Sequence, residues 1–258
     1  MTIDIVAEEF RPAKLSVSWA DEAIEELQQL TAEFFNNDAS QVITEADPST
    51  GGYLQKLQLV KPIPSRLHRK ATEALLNLRH SFDQAMYAAR NLTTGVDDAH
   101  IYFPWANGPK DLEGRLTKQK IDKRLWEVLA GHEPFGTSDT HIGGDDLIRT
   151  LAKLANDKHT VGLAVDAHIV QTRFPNIAGH KVEHLELLMP RWDPAKCEAV
   201  LMRWKGTVTI EGDYNVSFQI VFQSPRGPLG ALSGLHHFAA KASAVIASLE
   251  AKCIELGR

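Results

Sequence analysis

The stretch LHRKATEALLNLRHSFDQAMYAARN, residues 67–91, decides the fold of this 258-residue chain. Apolar residues recur through it at the spacing of one helical face, and neither proline nor glycine interrupts about seven turns. The pattern predicts a long central helix over residues 65–91. Leu76 and Tyr87 fall almost opposite the apolar face. A helix that is apolar on two sides packs in the middle of a structure, so its charged flank is expected to be partly buried.

The chain before this helix predicts one helix and one β-hairpin. We expect a short extended start at residues 3–6, followed by a first helix over residues 18–36, because Ser18 and Asp21 have the spacing of a capping box. A turn-rich hexapeptide then separates two strand-like runs within residues 40–60. This arrangement predicts a hairpin.

Short helices are predicted after the central helix. The extended aromatic segment around Pro104 cannot lie in the middle of a sheet, so its rings are expected to cover the helices. Two short helices follow, over residues 109–118 and 122–130. A third begins at Asp145 or Asp146 and is predicted to end in residues 156–159.

Strand-like patterns begin at Thr160 and predict a mainly antiparallel sheet over residues 160–223. Glu211-Gly212-Asp213 is the expected hairpin turn between the last two strands. A closing helix is predicted over residues 230–256, with apolar residues at helical spacing. Because no repeat or linker interrupts the chain, we expect one α+β domain. Its helical parts would be residues 18–36, 65–158 and 230–256, and its sheet parts residues 40–60 and 160–223.

Composition excludes several classes of protein. The net charge of −5 argues against broad electrostatic capture of nucleic acid and leaves only a local basic pocket for that purpose. Cys197 and Cys253 are the two cysteines and lack the spacing of metal ligands, as is usual in a reducing compartment. Neither a signal peptide nor a membrane span is recognisable, so the predicted location is the cytoplasm.

Polar and charged residues interrupt two of the predicted helices. If the central helix packs beside the helix that ends near residue 159, these groups would meet in one cleft. Helical phase directs Lys158 toward the apolar side of its helix, and Asp83 is its expected partner. The candidate catalytic residues are Arg79, Asp83, Asn156, Lys158 and His159, and the candidate binding residues are His80, Gln84 and Asp157.

The runs LRHSFDQ (78–84) and LANDKH (154–159) resemble the motifs of a group of uncharacterised bacterial proteins. Their pattern combines an L-R-x-x-L-D-H helix, an aromatic-proline segment like Phe103-Pro104 and an N-x-D-K-H-like ending. An arginine followed four residues later by a histidine is in turn similar to the signature of HEPN (higher eukaryote and prokaryote nucleotide-binding) domains.

The HEPN resemblance implies a metal-independent ribonuclease in a toxin or defence system, commonly a homodimer, with RNA or a nucleotide as its ligand. This chain departs from the signature, because Gln84 occupies the histidine position and an amide does not exchange protons near neutral pH. His80 or His159 would have to replace it. Arg79 and Gln84 also lie about 140° apart around a helix, so they would share a site only across a dimer cleft or at a helix distortion.

Two interpretations of the polar residues stay open. In the catalytic one, Arg79 and Lys158 hold a phosphate, His159 or His80 transfers protons, and Asp83 and Asn156 orient them. In the other, Asp83 joins the helices in a buried structural network and pairs with Arg79 at i,i+4, as in a non-catalytic binding or assembly protein. No metal site or cofactor is expected, since His180 and His184 flank a strand and lack an accompanying ligand.

Overall fold

The computed structural model describes residues 3–97, 100–138, 141–161, 165–224 and 227–257, and of residues 157–161 and 165 it describes the backbone alone. About 50% of the chain is helical and 28% lies in antiparallel strands, which confirms the α+β class. The helices within these ranges are α1 (Ile3–Asn36), α2 (Ser65–Thr94), α3 (Pro109–Lys118), α4 (Trp126–Gly131), α5 (Asp146–Val161) and α6 (Ala231–Leu256). The strands are β1 (Ser40–Asp47), β2 (Gly52–Leu59), β3 (Val165–Arg173), β4 (Asn176–Leu187), β5 (Trp192–Asp193), β6 (Glu198–Glu211), β7 (Asn215–Ser224) and β8 (Gly227–Gly230).

The chain folds into two compact units. The first unit comprises Met1–Leu27, Arg69–Leu163 and Leu232–Arg258, and the second comprises Gln28–His68 and Ala164–Ala231. The first is helical, and the second contains both sheets. The expectation of a single domain stays a prediction.

Helix α2 confirms the predicted central helix. One side chain per turn along its apolar face, from Leu67 through Leu78 to Ala89, is almost completely buried. Its end is fixed at Gly95, which adopts a φ of 68° and donates its backbone N–H to the Asn91 carbonyl at 2.8 Å. Glycine is favoured in this left-handed position because it has no Cβ.

The predicted extended start is wrong, because α1 is already helical at Ile3. Val6, Phe10, Ala13 and Val17 are buried at helical spacing, and this face continues beyond the expected start at Ser18. Helix α1 therefore runs through Pro12 instead of beginning after it. Burial of one continuous apolar face outweighs the loss of a single helical hydrogen bond at the proline.

The strand region forms two sheets instead of the one that was predicted. The first has the order β1-β2-β6-β4, with β5 also paired to β6, and the second has the order β3-β7-β8. The hairpin of residues 40–60 is confirmed, and its second strand joins it to β6.

The predicted hairpin at Glu211-Gly212-Asp213 is wrong, because β6 and β7 belong to different sheets. Strand β6 pairs with β2 over residues 198–204 and with β4 over residues 202–211, whereas β7 pairs with β3 and β8. Residues 198–211 form β6 as one strand without interruption. Thr160 belongs to α5, not to a strand.

An aromatic cluster in the helical unit holds the extended segment after α2. The Phe82 ring of α2 lies 4.9 Å from the rings of Phe103 and Trp105, and 5.2 Å from Phe238 of α6. Phe103 and Trp105 are themselves 4.7 Å apart. Contacts of this kind confirm that the aromatic segment covers the helices, and they fix its backbone beside the charged flank of α2.

Candidate functional site

Arg79 is a nearly buried cation on α2. Its relative exposure is 8%, its Nη1 lies 2.5 Å from Asp83 Oδ1, and its guanidinium lies 5.3 Å from the centre of the Trp105 ring. The i,i+4 pairing with Asp83 is as predicted. Although the two charged groups are close, their geometry does not give a hydrogen bond. Nε and Nη1 of Arg79 have no hydrogen-bond partner among the described residues. The guanidinium is therefore held by ionic and cation–π contacts, with donors unused.

Asp83 connects α2 to the aromatic segment. Its Oδ1 accepts a hydrogen bond of 2.7 Å from the backbone N–H of Phe103. The carboxylate thus satisfies one backbone donor of the extended segment, and at the same time partly compensates the charge of Arg79. The predicted contacts of Asp83 with Lys158 and His159 involve side chains outside the described part of the chain.

Arg79 opens onto a hollow that we call the basic cleft. It has a volume of about 440 Å³. Four cationic side chains line it, from α2, α3 and α5. The lining residues are Arg79, His100, Tyr102, Phe103, Trp105, Arg115, Lys118, Gln119, Arg149 and Asn156.

The positive side chains of the basic cleft repel one another. Desolvation lowers the pKa of Arg149, and the charges of Arg115 and Arg79 lower it further. Arg149 Nε donates to the Ala106 carbonyl at 3.0 Å, and Arg115 Nε donates to Asp111 at 3.1 Å. Since Asp83 and Asp111 compensate only part of this charge, the cleft suits an anion.

Trp105, in the wall of the same cleft, has a second buried donor without a partner among the described residues. Its ring is 5% exposed, and its Nε1 has no hydrogen-bond partner among the described residues. A buried N–H without a partner costs about 1–3 kcal/mol, so such groups are rare unless a ligand or water satisfies them.

A second hollow, which we call the side groove, lies on the other flank of α2. It has a volume of about 640 Å³. Its walls are mainly apolar or aromatic, with carboxylates at Glu8, Glu9 and Asp83. The complete lining is Glu8, Glu9, Pro12, His80, Asp83, Gln84, Tyr87, Ile101 and Tyr102.

Gln84 is oriented by a contact with α1. The buried Ser16 hydroxyl donates to the Gln84 side-chain oxygen at 2.7 Å. The amide NH₂ of Gln84 is left available on the side of the groove. Gln84 therefore has a defined orientation, although it cannot replace a histidine in proton transfer.

The predicted site residues do not all lie in one place. Arg79 and Asn156 line the basic cleft, whereas His80, Asp83 and Gln84 line the side groove. Asp157, Lys158 and His159 lie within α5, which continues to Val161, and their side chains lie outside the described part. Helical phase separates Arg79 from Gln84, which point to different sides of α2, whereas Asp83 lines the side groove while it contacts Arg79 one turn away.

Sequence reasoning missed Arg115, Lys118 and Arg149. A signal was present, because Arg115 and Lys118 are three residues apart and Arg149 and Asn156 are seven apart, so each pair shares a helical face. The sequence does not predict how α3 and α5 pack, and this packing brings the two faces to Arg79.

The described residues give little support to metal binding, to a reactive thiol or to a membrane-spanning helix. No group of three or more histidine, cysteine, aspartate or glutamate side chains is placed there to hold a metal ion. Burial raises the pKa of the Cys253 thiol to about 12, so it is not a nucleophilic thiolate near neutral pH. No helix in these ranges is long and apolar enough to cross a membrane.

Comparisons of the chain with protein-family models, with curated proteins and with solved structures found no significant match.

Proposed function

We propose that the protein binds RNA or a nucleotide through a phosphate group in the basic cleft. The observation that carries this proposal is the nearly buried Arg79 cation, whose Nε and Nη1 make no hydrogen bond to a described residue, in the wall of a cleft that three further cationic side chains line. A phosphate in the cleft would compensate the positive charge of Arg79 that Asp83 does not balance.

The surrounding cations support a phosphate more than a neutral ligand. Arg115, Lys118 and Arg149 line the same cleft, and mutual repulsion contributes to the lowered pKa of Arg149. Binding of an anion would relieve that repulsion. Because the fold already holds the cationic side chains together, this relief would increase the affinity for the anion. A carboxylate has the same sign of charge, but a terminal phosphate group has three acceptor oxygens and a charge of up to about −2 to share among several cations.

The finer proposal is a HEPN-like, metal-independent ribonuclease or a derivative of one. In such cleavage the ribose 2′-oxygen attacks the adjacent phosphorus, the bond to the 5′-oxygen breaks, and a 2′,3′-cyclic phosphate and a 5′-hydroxyl result. One group takes the 2′ proton and another protonates the leaving oxygen. Arg79 and Arg149 would stabilise the phosphorane charge.

In this scheme, His100 or His159 transfers the protons. His100 lines the basic cleft, and His159 lies on α5 close in sequence to Asn156 of the cleft. His80 is a weaker candidate than sequence alone indicates, because it lines the side groove. A homodimer and a defence or toxin role in a bacterial cytoplasm belong to this proposal through the HEPN resemblance.

The test compares Arg149→Gln with Lys153→Gln. Both substitutions remove one positive charge from α5, but exposed Lys153 does not line the cleft. We expect Arg149→Gln to weaken binding of a short fluorescent RNA about tenfold or more, since a charged hydrogen bond contributes about 1.5–3 kcal/mol. Lys153→Gln should bind as the wild type does. Equal binding by all three proteins, or no binding by the wild type, would refute the proposal.

Binding without cleavage is the second candidate function. It is favoured by one observation: Gln84, at the histidine position of the motif, is bonded to Ser16 and lies in the side groove, apart from Arg79. Incubating the wild type with end-labelled RNA distinguishes the two functions. Cyclic-phosphate products that disappear in His100→Ala or His159→Ala support the ribonuclease, whereas intact RNA in a stable complex supports the binding protein.

A further inference from the structure

We infer that the side groove is a nucleobase subsite, so that one nucleotide spans the two hollows with its phosphate in the basic cleft and its base in the groove. This inference rests on the proposed function, because it takes the basic cleft as the phosphate site. The inference specifies that the ligand contains a heteroaromatic base. It assigns binding roles to Tyr102, Asp83 and Gln84.

The two hollows adjoin each other. Tyr102 lines both of them and is 53% exposed, so it forms a wall that each hollow shares. Arg79 lines the cleft and Asp83 lines the groove, yet these side chains contact each other at 2.5 Å. A ligand held by Arg79 therefore has its next chemical group within reach of Asp83.

Charge determines which end of a nucleotide lies in which hollow. Glu8, Glu9 and Asp83 line the side groove, and carboxylates oppose a phosphate there. The basic cleft, with its four cationic side chains, attracts one. A nucleotide has the same asymmetry, with a charged phosphate at one end and an uncharged base at the other.

The walls of the side groove match a flat, partly polar ring. Tyr87 and Tyr102 provide aromatic surfaces, and Pro12 and Ile101 provide aliphatic ones. Because every nucleobase has a π-face, an exposed tyrosine such as Tyr102 can stack on it without demanding one sequence.

The polar groups of the groove match the edge of a base. The Gln84 oxygen is used by Ser16, so its NH₂ is left to donate. Oδ1 of Asp83 takes the Phe103 N–H, and no described residue makes a hydrogen bond to its Oδ2. The groove thus offers one donor and one acceptor, and the Watson–Crick edge of each of the four bases carries an acceptor next to a donor.

The experiment measures binding of ribose 5-phosphate and of adenosine monophosphate to the full chain by calorimetry. The nucleotide should bind about tenfold tighter, the contribution of one base–aromatic stack. Tyr102→Ala should abolish this ratio, while Tyr102→Phe, which keeps the ring, should retain it. Tyr102 is exposed, so neither variant is expected to impair folding, and circular dichroism checks this.

A second variant tests the hydrogen-bonding edge. Gln84→Glu keeps an oxygen to accept from Ser16 but replaces the NH₂ by a carboxylate oxygen, so it should lower the ratio of nucleotide to ribose 5-phosphate affinity. Equal affinity of the wild type for both ligands would overturn the base subsite and leave the phosphate site intact. Failure of both ligands and of RNA to bind would overturn the proposed function itself. An oligoadenylate that binds more tightly than the mononucleotide identifies RNA as the source of the base.

Discussion

Arg79 and Asp83 bring two opposite charges into a partly buried environment one helical turn apart. The Asp83 carboxylate also accepts the Phe103 N–H, so one side chain serves both the ion pair and the backbone. Removing only its charge separates these two roles. An asparagine at this position can still accept from Phe103, whereas it cannot compensate the Arg79 guanidinium.

We expect Asp83→Asn to lower the free energy of unfolding by about 1–3 kcal/mol, because it leaves a nearly buried cation without its counter-charge. Urea denaturation followed by circular dichroism measures this loss. Glu113→Gln, an exposed charge on α3, is the control and should change the unfolding free energy by less than about 0.5 kcal/mol. A loss of that small size in Asp83→Asn would show that the ion pair contributes no stability.

Gly206 controls the course of β6 in the second unit. Its φ is 105°, and a Cβ added there would lie 2.3 Å from the Lys181 carbonyl oxygen. The opposite strand, β4, has a register shift between His180 and His184 at the same place. Glycine therefore permits both the positive φ and the close approach of the bulged strand.

Gly206→Ala should destabilise the protein by about 2 kcal/mol or more, through backbone strain together with the steric clash. Gly212→Ala is a matched control, because Gly212 also has a positive φ, of 94°, but no atom lies within 4 Å of its added Cβ. It should lose only about 1 kcal/mol, the cost of the strain. Equal losses in the two variants, measured by urea denaturation, would contradict the role given to the close approach.

Sequence periodicity predicts the elements whose apolar faces are local and uninterrupted. Helix α3 has the predicted bounds, and α2 and α6 differ from them by a few residues. The first half of α1, which contains Pro12, is not predicted, because Ile3 and Ile5 alternate as in a strand and the capping-box spacing of Ser18 and Asp21 indicates a later start. Its buried face becomes evident only when residues on both sides of the proline are counted together.

Strand partners are less predictable than strands. The alternation in β6 and β7 is clear, and a turn sequence joins them, yet each pairs elsewhere. Local sequence specifies an extended backbone and its buried face, but not which of several apolar strands completes its hydrogen bonds. The candidate site has the same limitation: Arg79 was predicted, while the helices that bring Arg115 and Arg149 to it were placed only by the fold.

Lowering the pH should decrease the free energy of unfolding of the protein, because of His132. Burial, and to a lesser extent the charge of Lys241, lowers the pKa of this histidine below its ordinary value of 6.5. Its Nε2 lies 2.5 Å from Ser248 Oγ of α6. Between the folded pKa and 6.5 the unfolded chain binds more protons, so the unfolding free energy falls as the pH falls through this window.

His132→Gln should therefore lose less unfolding free energy than the wild type between about pH 7 and pH 5, since glutamine does not take up a proton. Urea denaturation at several pH values measures the two slopes. His184→Gln replaces an exposed ring on β4 and is the control, expected to keep the wild-type pH dependence. Parallel curves for His132→Gln and the wild type would contradict the prediction.

The pairing of β2 with β6 has a consequence for synthesis on the ribosome. Tyr53 pairs with Trp204, so the first sheet joins segments that are translated far apart in time. Until β6 leaves the exit tunnel, the inner edge of the β1–β2 hairpin has no partner, while α2 to α5 are already emerging. The nascent chain thus carries an open strand edge for most of its translation, a state in which ribosome-associated chaperones protect a chain from aggregation.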